Sequence, residues 1–567
     1  MSSRIFRKGV AIYLVVLVVA ILSLGAFALF SIILTERQAT TIRGDEIQVR
    51  TAAESGIEFV RAVSALNESE RTRLGGIDNN PKLFAGVEVH SVVRNRQRCS
   101  FRFTVVSPNI VDGRLSGIRY GLQNESAKLH LETVLQWELE SPGQGRQALL
   151  ALPRMNPGIA DSILDWIDAD GTPRSSGAES DYYRRIGAPY APRNAVPVSL
   201  EELLLVRDMN RSLLFGTDAS FSFGFSPSQP DQVESPRRSN AARSRPVIDV
   251  PEIPTVELDA LDTPLVESAV PLPTEEFPMT DTLVPTLAEI LAEPTGPTEL
   301  TEPADASPAS SPRTSRARAP RGASQAGSGN LPWVHYLTTL SAEKEVNPLG
   351  IAKYDLNESN LEYLQTQIRQ TVDDQAADFV MQVRQVGPLE TPVDLLTAEV
   401  LIPETLEVVP NPFDLKSPEG KTRFYKLLDY GTTSRDVVIT GRININEAQS
   451  EVLRAIPELT DEMVSQIVSR RRILTGSPQQ TVDLRHPVWL LTEGLVDTEQ
   501  MKSLWKRVTT AGSVYRGQVI GFLDEQGTAS RFEVVVDATV EPPRQVFSKD
   551  LTMYGRGFPI TVLNSQQ

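Results

Sequence analysis

The sequence predicts an α+β chain: one α/β domain carried on a long N-terminal helix and interrupted by a large helical insertion. Three observations carry that expectation. Residues 10–66 hold an unbroken helical pattern whose first stretch is wholly apolar. Strand-like alternation fills two distant blocks, about 85–140 and 514–560. Between them lies helical periodicity with two hairpin-like motifs.

The N-terminal element comes first. Arg4, Arg7 and Lys8 precede an uncharged apolar run from Val10 to Leu34, broken only by Ser23, Gly25 and Ser31. Such a run of about 25 residues spans a hydrocarbon core of roughly 30 Å. Positive charge ahead of it predicts a cytoplasmic N-terminus and an exported remainder. An uncleaved signal anchor fits this pattern. A cleaved secretory signal fits less well: Ala26-Phe27-Ala28 has the small-x-small form, but the apolar run continues past it. Beyond the span, Thr35 to Leu66 contains no proline, and Ile47, Ala52, Ala53, Ile57, Val60 and Val63 recur at helical spacing.

Next come the strands. Val87–Val93 and Ser100–Val106 alternate, and the stretch Ile118–Leu131 follows them. Tyr354–Glu358 and Arg442–Glu447 echo that stretch, each running from Asn-Glu into a helical pattern. The asparagines are therefore expected to be helix N-caps or turn formers. Leu361–Arg384 and Ala448–Arg472 read as helical, and Tyr515–Phe522 and Arg531–Ala538 as strands. The expected divisions are a leader at 1–9, a helix at 10–66 with its membrane span at 10–34, and the opening stretch of the α/β domain at 67–140. The helical insertion follows in two segments, 141–225 and 331–510, with a β-rich end at 511–567. Residues 226–330 hold 17 of the 40 prolines and no Trp, Tyr or Cys, so they are expected to be a disordered linker. Its middle is acidic and Arg313–Arg321 is basic, which reads as a solvated linker.

Composition narrows the function. A chain of 567 residues has room for two or three domains. A formal charge of −16 argues against nucleic acid as the main partner, because phosphate binding is driven by Lys and Arg. It also leaves carboxylates free for a divalent cation. Cys99 is the single cysteine, which excludes an intrachain disulfide and a thiolate cluster, and the four histidines lie far apart. The sequence has no nucleophile elbow and no phosphate-cradling glycine loop, so a non-catalytic role is expected.

Ala148–Ile163 and Val452–Ile467 resemble helix-hairpin-helix units. In DNA-binding versions a hairpin glycine lets backbone N–H groups meet a phosphate. The equivalent position after proline is Arg154 in one unit and Glu458 in the other, and a carboxylate there repels phosphate. Packing modules are the better fit. The competing class is a single-pass membrane-anchored adaptor that uses these units on DNA.

Asp165–Tyr183 holds the strongest candidate site. Asp168, Asp170, Glu179 and Asp181 lie close together in a loop with two glycines and a proline, a set that suits Ca²⁺. Asp168, Asp170, Thr172, a carbonyl at Arg174, Ser176 and Glu179 echo the ligand spacing of an EF-hand, although Pro173 replaces its sixth-place glycine. A solvated acidic loop closed by Arg174, Arg184 and Arg185 explains the same spacing equally well.

Four segments together resemble one family. Arg7-Lys8-Gly9 before an apolar helix is similar to a prepilin peptidase site, with cleavage between Gly9 and Val10. Ala52–Gly56, Ile118–Leu131 and Asp165–Tyr183 resemble characteristic stretches of the K-type minor pseudopilins of type II secretion systems. The resemblance covers nearly the whole chain apart from the linker. Leu14 stands fifth after the glycine, where most pilins carry a glutamate, and K-type subunits share that departure. The resemblance implies a pilin-like fold and a minor pseudopilin that helps initiate and cap a periplasmic pseudopilus. It implies an inner-membrane protein with its bulk in the periplasm, partnered by other minor pseudopilins, prepilin peptidase and secreted cargo. It also implies structural Ca²⁺ in the acidic loop, with Asp168, Asp170, Thr172, Glu179 and Asp181 as candidate ligands.

Overall fold

Helix α1 runs from Phe6 to Ala65. In the computed structural model, residues 6–94, 97–111, 113–217, 221–223, 225, 331–400, 408–475, 484–524 and 527–564 are described. The linker expected at 226–330 lies outside them. Side chains from Tyr13 to Arg43 are exposed, and the window that begins at Tyr13 is long and apolar enough to cross a membrane. From Val49 onward one stripe of α1 is buried: Val49, Ala52, Ala53, Ile57, Val60 and Val63. These positions recur at helical spacing, so they share one face.

That face lies on an antiparallel sheet of seven strands: β1 (Val87–Arg94), β2 (Gln97–Val111), β3 (Arg114–Tyr120), β4 (Gln123–Asn124), β5 (Val514–Leu523), β6 (Ala529–Asp537) and β7 (Arg544–Asp550). The order is β1-β2-β5-β6-β7, with β3 also on β2 and β4 on β5. Ile57, Val60 and Val63 share a core with Phe103, Val105, Val519 and Val534. Gly56 permits the close approach: a methyl group there would sit 2.6 Å from Val519 Cγ1 and 2.9 Å from the Phe103 ring. β2 pairs directly with β5, for example Val105 with Val519, although the whole insertion separates them in sequence. The expected interrupted α+β domain is thus what the chain forms.

The insertion is built on three similar frames. Each opens and closes with a two-residue strand, and the two strands pair in parallel: Leu129–His130 with Leu337–Thr338, Tyr354–Asp355 with Gly431–Thr432, and Ile443–Asn444 with Val508–Thr509. Each closing strand ends in a threonine whose hydroxyl accepts a backbone N–H two residues on, from Leu340, Ser434 and Ala511, at 3.1 Å in all three. Helices fill each frame. The first holds α2 (Leu131–Glu140), α3 (Gln144–Leu150), α4 (Pro157–Ile167) and α5 (Ser180–Arg185). The second holds α6 (Leu361–Thr371), α7 (Asp374–Val386) and α8 (Pro418–Tyr430). The third holds α9 (Ser450–Arg454), α10 (Asp461–Thr475) and α11 (Thr498–Trp505).

Several expectations need correction. The strand block does not reach residue 140, because Leu131–Glu140 is α2. Leu361–Arg384 is two helices: the Asp373 carboxylate accepts the Ala376 N–H at 2.8 Å and starts α7. Asn357 and Asn446 are not N-caps; those positions belong to Asn360 and Gln449. Instead their side-chain amides donate across the frame to the Leu389 and Leu484 carbonyls, at 2.8 and 2.9 Å. Asn444 does form a turn, accepting the Asn446 N–H at 2.9 Å.

The first and third frames share one hydrophobic core, in which Leu149, Leu152 and Ile163 meet Leu453, Ile456 and Ile467. Trp333 and Trp489 are fully buried in it, and their indole N–H groups donate to the Pro153 carbonyl and to Asn446 Oδ1. Glu125 joins sheet and insertion: its Oε1 lies 2.7 Å from both Lys128 Nζ and Arg516 Nε. Burial opposes its ionisation, but the two cations outweigh burial and hold its carboxyl well below the ordinary range. The insertion also rests on the chain just past α1, where the Ser69 N–H donates to the Pro348 carbonyl.

Candidate metal centre

Helix α4 positions the acidic loop. Asn156 caps it by accepting the Ile159 N–H at 3.0 Å, and Pro157 follows at the first helical position. Ile159, Ala160, Ile163, Leu164, Trp166 and Ile167 are buried, and so are Asp161 and Asp165, one turn apart. These two carboxylates clip the loop back onto the helix. Asp161 Oδ2 accepts the Ser176 N–H, and Asp165 accepts the Arg174 N–H. Gly177 is needed for that fold-back, since a methyl group there would fall 1.9 Å from Asp165 Oδ2.

Asp168 ends α4, and its N–H still donates to the Leu164 carbonyl. Asp170 follows in a turn in which its Oδ1 accepts the Thr172 N–H at 2.7 Å. Glu179 caps α5, with Oε2 accepting the Ser180 N–H. One carboxylate oxygen from each of Asp168, Asp170 and Glu179 lies within 4.8 Å of the others. Asp168 and Glu179 are 5 % and 3 % exposed, and Asp168 Oδ1 and Glu179 Oε1 are buried without a hydrogen-bond partner. Buried carboxylate oxygens without donors are costly, and a cation between them relieves that cost. Burial first, and repulsion from Asp165 second, push the Glu179 carboxyl up to about 7. Burial likewise raises Asp165 and Asp168 above the ordinary range.

Three of the five expected ligands therefore converge. Thr172 is exposed and engages Asp170 through its backbone. Asp181 stands outside the group, because its exposed carboxylate pairs with Arg184 at 2.7 Å on the outer face of α5. Arg174 bridges Asp165, at 2.9 Å, and Asp168. Arg207 fixes the loop from the other side, donating to the Gly177 carbonyl at 3.1 Å. Sequence reasoning missed Asp161 and Asp165 as clamps, although their place within the apolar stripe of α4 signalled it. The donor set is all oxygen, with one side open at Asp170, and it suits a hard divalent cation that completes its shell with carbonyls or water. Gly9 and Val10 fall in the first turns of α1.

The two helical hairpins share a backbone feature. Arg154 and Glu458 have φ of 63° and 78°, the left-handed region that favours glycine. Glu458 accepts the Ser503 hydroxyl at 2.7 Å.

An exposed apolar helix long enough to cross a membrane, a sheet packed on its far half and a helical body inserted into that sheet together define a pilin-like subunit. The family model for the type II secretion system (T2SS), protein K, matches residues 139–215, from the end of α2 through the acidic loop. Over those residues the chain is similar to the protein K family of type II secretion. The family is structural rather than catalytic. Comparison with curated proteins and with solved structures finds no match.

Proposed function

We propose that this chain is a minor pseudopilin that helps initiate and cap a periplasmic pseudopilus, acting through contacts with other minor pseudopilins and with secreted cargo. Prepilin peptidase cuts it between Gly9 and Val10 on the cytoplasmic face. The mature helix then stays in the inner membrane, with the remainder in the periplasm. The observation that carries this reading is the place of the insertion. It packs on Asn67–Arg71 beyond the buried end of α1, away from the apolar span, as the Ser69–Pro348 bond illustrates. A bulky body at the membrane-distal end of the stacking helix supports a subunit that ends a filament. Leu14 supports the same place, because a first subunit has no neighbour above it whose N-terminal amine needs a partner in the membrane. Within the first frame, Asp168, Asp170 and Glu179 hold a structural Ca²⁺ that neutralises a loop rich in like charges.

Gold labelling of an epitope on the insertion tests the capping role. Label at filament ends alone is the expected result, and label spread along the filament length contradicts it.

A further inference from the structure

We propose that Arg174 is the positioning residue of the metal centre: its guanidinium is a fixed strut between Asp165 and Asp168 that leaves one Asp168 oxygen aimed at the ion. The inference rests on the metal reading above and adds a role for a residue that is not itself a ligand.

The geometry separates the carboxylates into two groups. Asp165 is fully buried, and both of its oxygens face Arg174, accepting its backbone N–H at 3.2 Å each. Its Oδ1 also accepts Arg174 Nη1 at 2.9 Å. Asp165 is therefore saturated and cannot ligate without breaking the clamp. Asp168 is divided: Oδ2 accepts the same Nη1, while Oδ1 has no partner and is buried. Glu179 is divided in the same way, with Oε2 on the Ser180 N–H and Oε1 unpartnered. In both residues one oxygen is pinned by the protein and the other is left over. The leftover oxygens belong to two of the three residues whose carboxylates converge. A ligating carboxylate held through its second oxygen is the usual outer-shell arrangement of metal sites.

Arginine suits this place because its planar fork reaches two carboxylates at once, while a lysine ammonium is a point charge. The arrangement fixes the sign of the test. If Arg174 only added positive charge near the ion, removing it would tighten binding. If it positions Asp168, removing it loosens binding even though a repelling charge is gone.

The experiment uses the detergent-solubilised full chain. It compares wild type, Arg174→Gln and the charge-conserving Arg174→Lys by calorimetric titration with Ca²⁺ and by Tb³⁺ luminescence lifetimes in H₂O and D₂O. Melting curves without ion establish that each variant is folded. Both variants are expected to weaken Ca²⁺ binding by about tenfold or more. Both should also raise the Tb³⁺ hydration by about one water as Asp168 leaves the shell. Tighter binding in Arg174→Gln with no change in Arg174→Lys overturns the strut and makes Arg174 a competing charge. Unchanged affinity and hydration in both folded variants also overturn it, while leaving the metal centre intact. Absence of Ca²⁺ and Tb³⁺ binding by wild type overturns the metal reading and the strut together.

Discussion

The first and third frames of the insertion contain the same hairpin, yet among the described residues only the first carries the acidic site. Pro153-Arg154 and Pro457-Glu458 stand at equivalent turns, both with a non-glycine residue in the left-handed region. The helices that follow, α4 and α10, bury Ile163 and Ile467 in one shared core. Counting on from each turn, Asp161 corresponds to Ser465 and Asp165 to Ser469. The two clamps that fold the loop back onto α4 are thus serines in α10. The hairpin is a packing unit common to both frames, and the acidic loop is an addition to one of them, clamped by two carboxylates on an otherwise apolar face.

Breaking the shared unit should have the largest effect. Trp489→Ala removes a fully buried indole from the core that joins the frames, and a loss of about 3–5 kcal/mol is expected. Thermal or denaturant unfolding of the soluble region checks it. Because both frames share that core, a single cooperative transition should shift as one; two separate transitions would show that the frames are independent.

Breaking only the addition should be milder. Asp168→Ala should leave the ion-free melting temperature near that of wild type and abolish the rise produced by Ca²⁺. At a hundredfold excess over Kd that rise corresponds to about 2.7 kcal/mol. Ser465 and Ser469 substituted by alanine should leave the Ca²⁺-dependent rise unchanged, which is the control that the comparison demands.

The pH dependence is a smaller effect, with a definite sign. The Glu179 carboxyl is raised from 4.5 to about 7 in the fold, so the native state holds a proton that the unfolded chain releases. Without ion, stability from this group is present below the unfolded value and is lost as pH rises toward 7. Asp165, Asp168 and Asp170 surround it and act in the same direction. Ca²⁺ binds the ionised form, so the calcium-induced rise in melting temperature should grow as pH rises through about 7. In Glu179→Gln the ion-free decline should be reduced; an unchanged decline would contradict the assignment. Smallest of all, Arg154→Gly and Glu458→Gly should each be neutral to stabilising by up to about 1 kcal/mol, since glycine adopts positive φ without strain.

Much of this was legible in the sequence, and the rest was hidden for identifiable reasons. α1 could be read from the lack of proline through Leu66 and from the spacing of Ala52, Ala53, Ile57 and Val60. The glycine-equivalent turn positions could be read from the prolines before Arg154 and Glu458, and both residues do adopt positive φ. The parallel frames could not be read, because a two-residue strand such as Ile443–Asn444 has no periodicity to show. The expected ligand Asp181 failed on helical geometry: two residues past Glu179, its side chain points about 200° around the helix. Asp161 and Asp165 were obscured because carboxylates one turn apart on a helix usually mark a solvated face. Here the residues between them, Ser162, Ile163 and Leu164, are all buried.

The central claim is that this chain enters a filament as a processed pseudopilin, and the N-terminus of the membrane-extracted protein tests it most directly. Intact mass and N-terminal sequencing should be compared in cells with and without prepilin peptidase. The account predicts a mature chain that begins at Val10 only when the peptidase is present. A chain that still begins at Met1 or Ser2 in its presence would contradict the account and leave a plain signal anchor carrying the same fold.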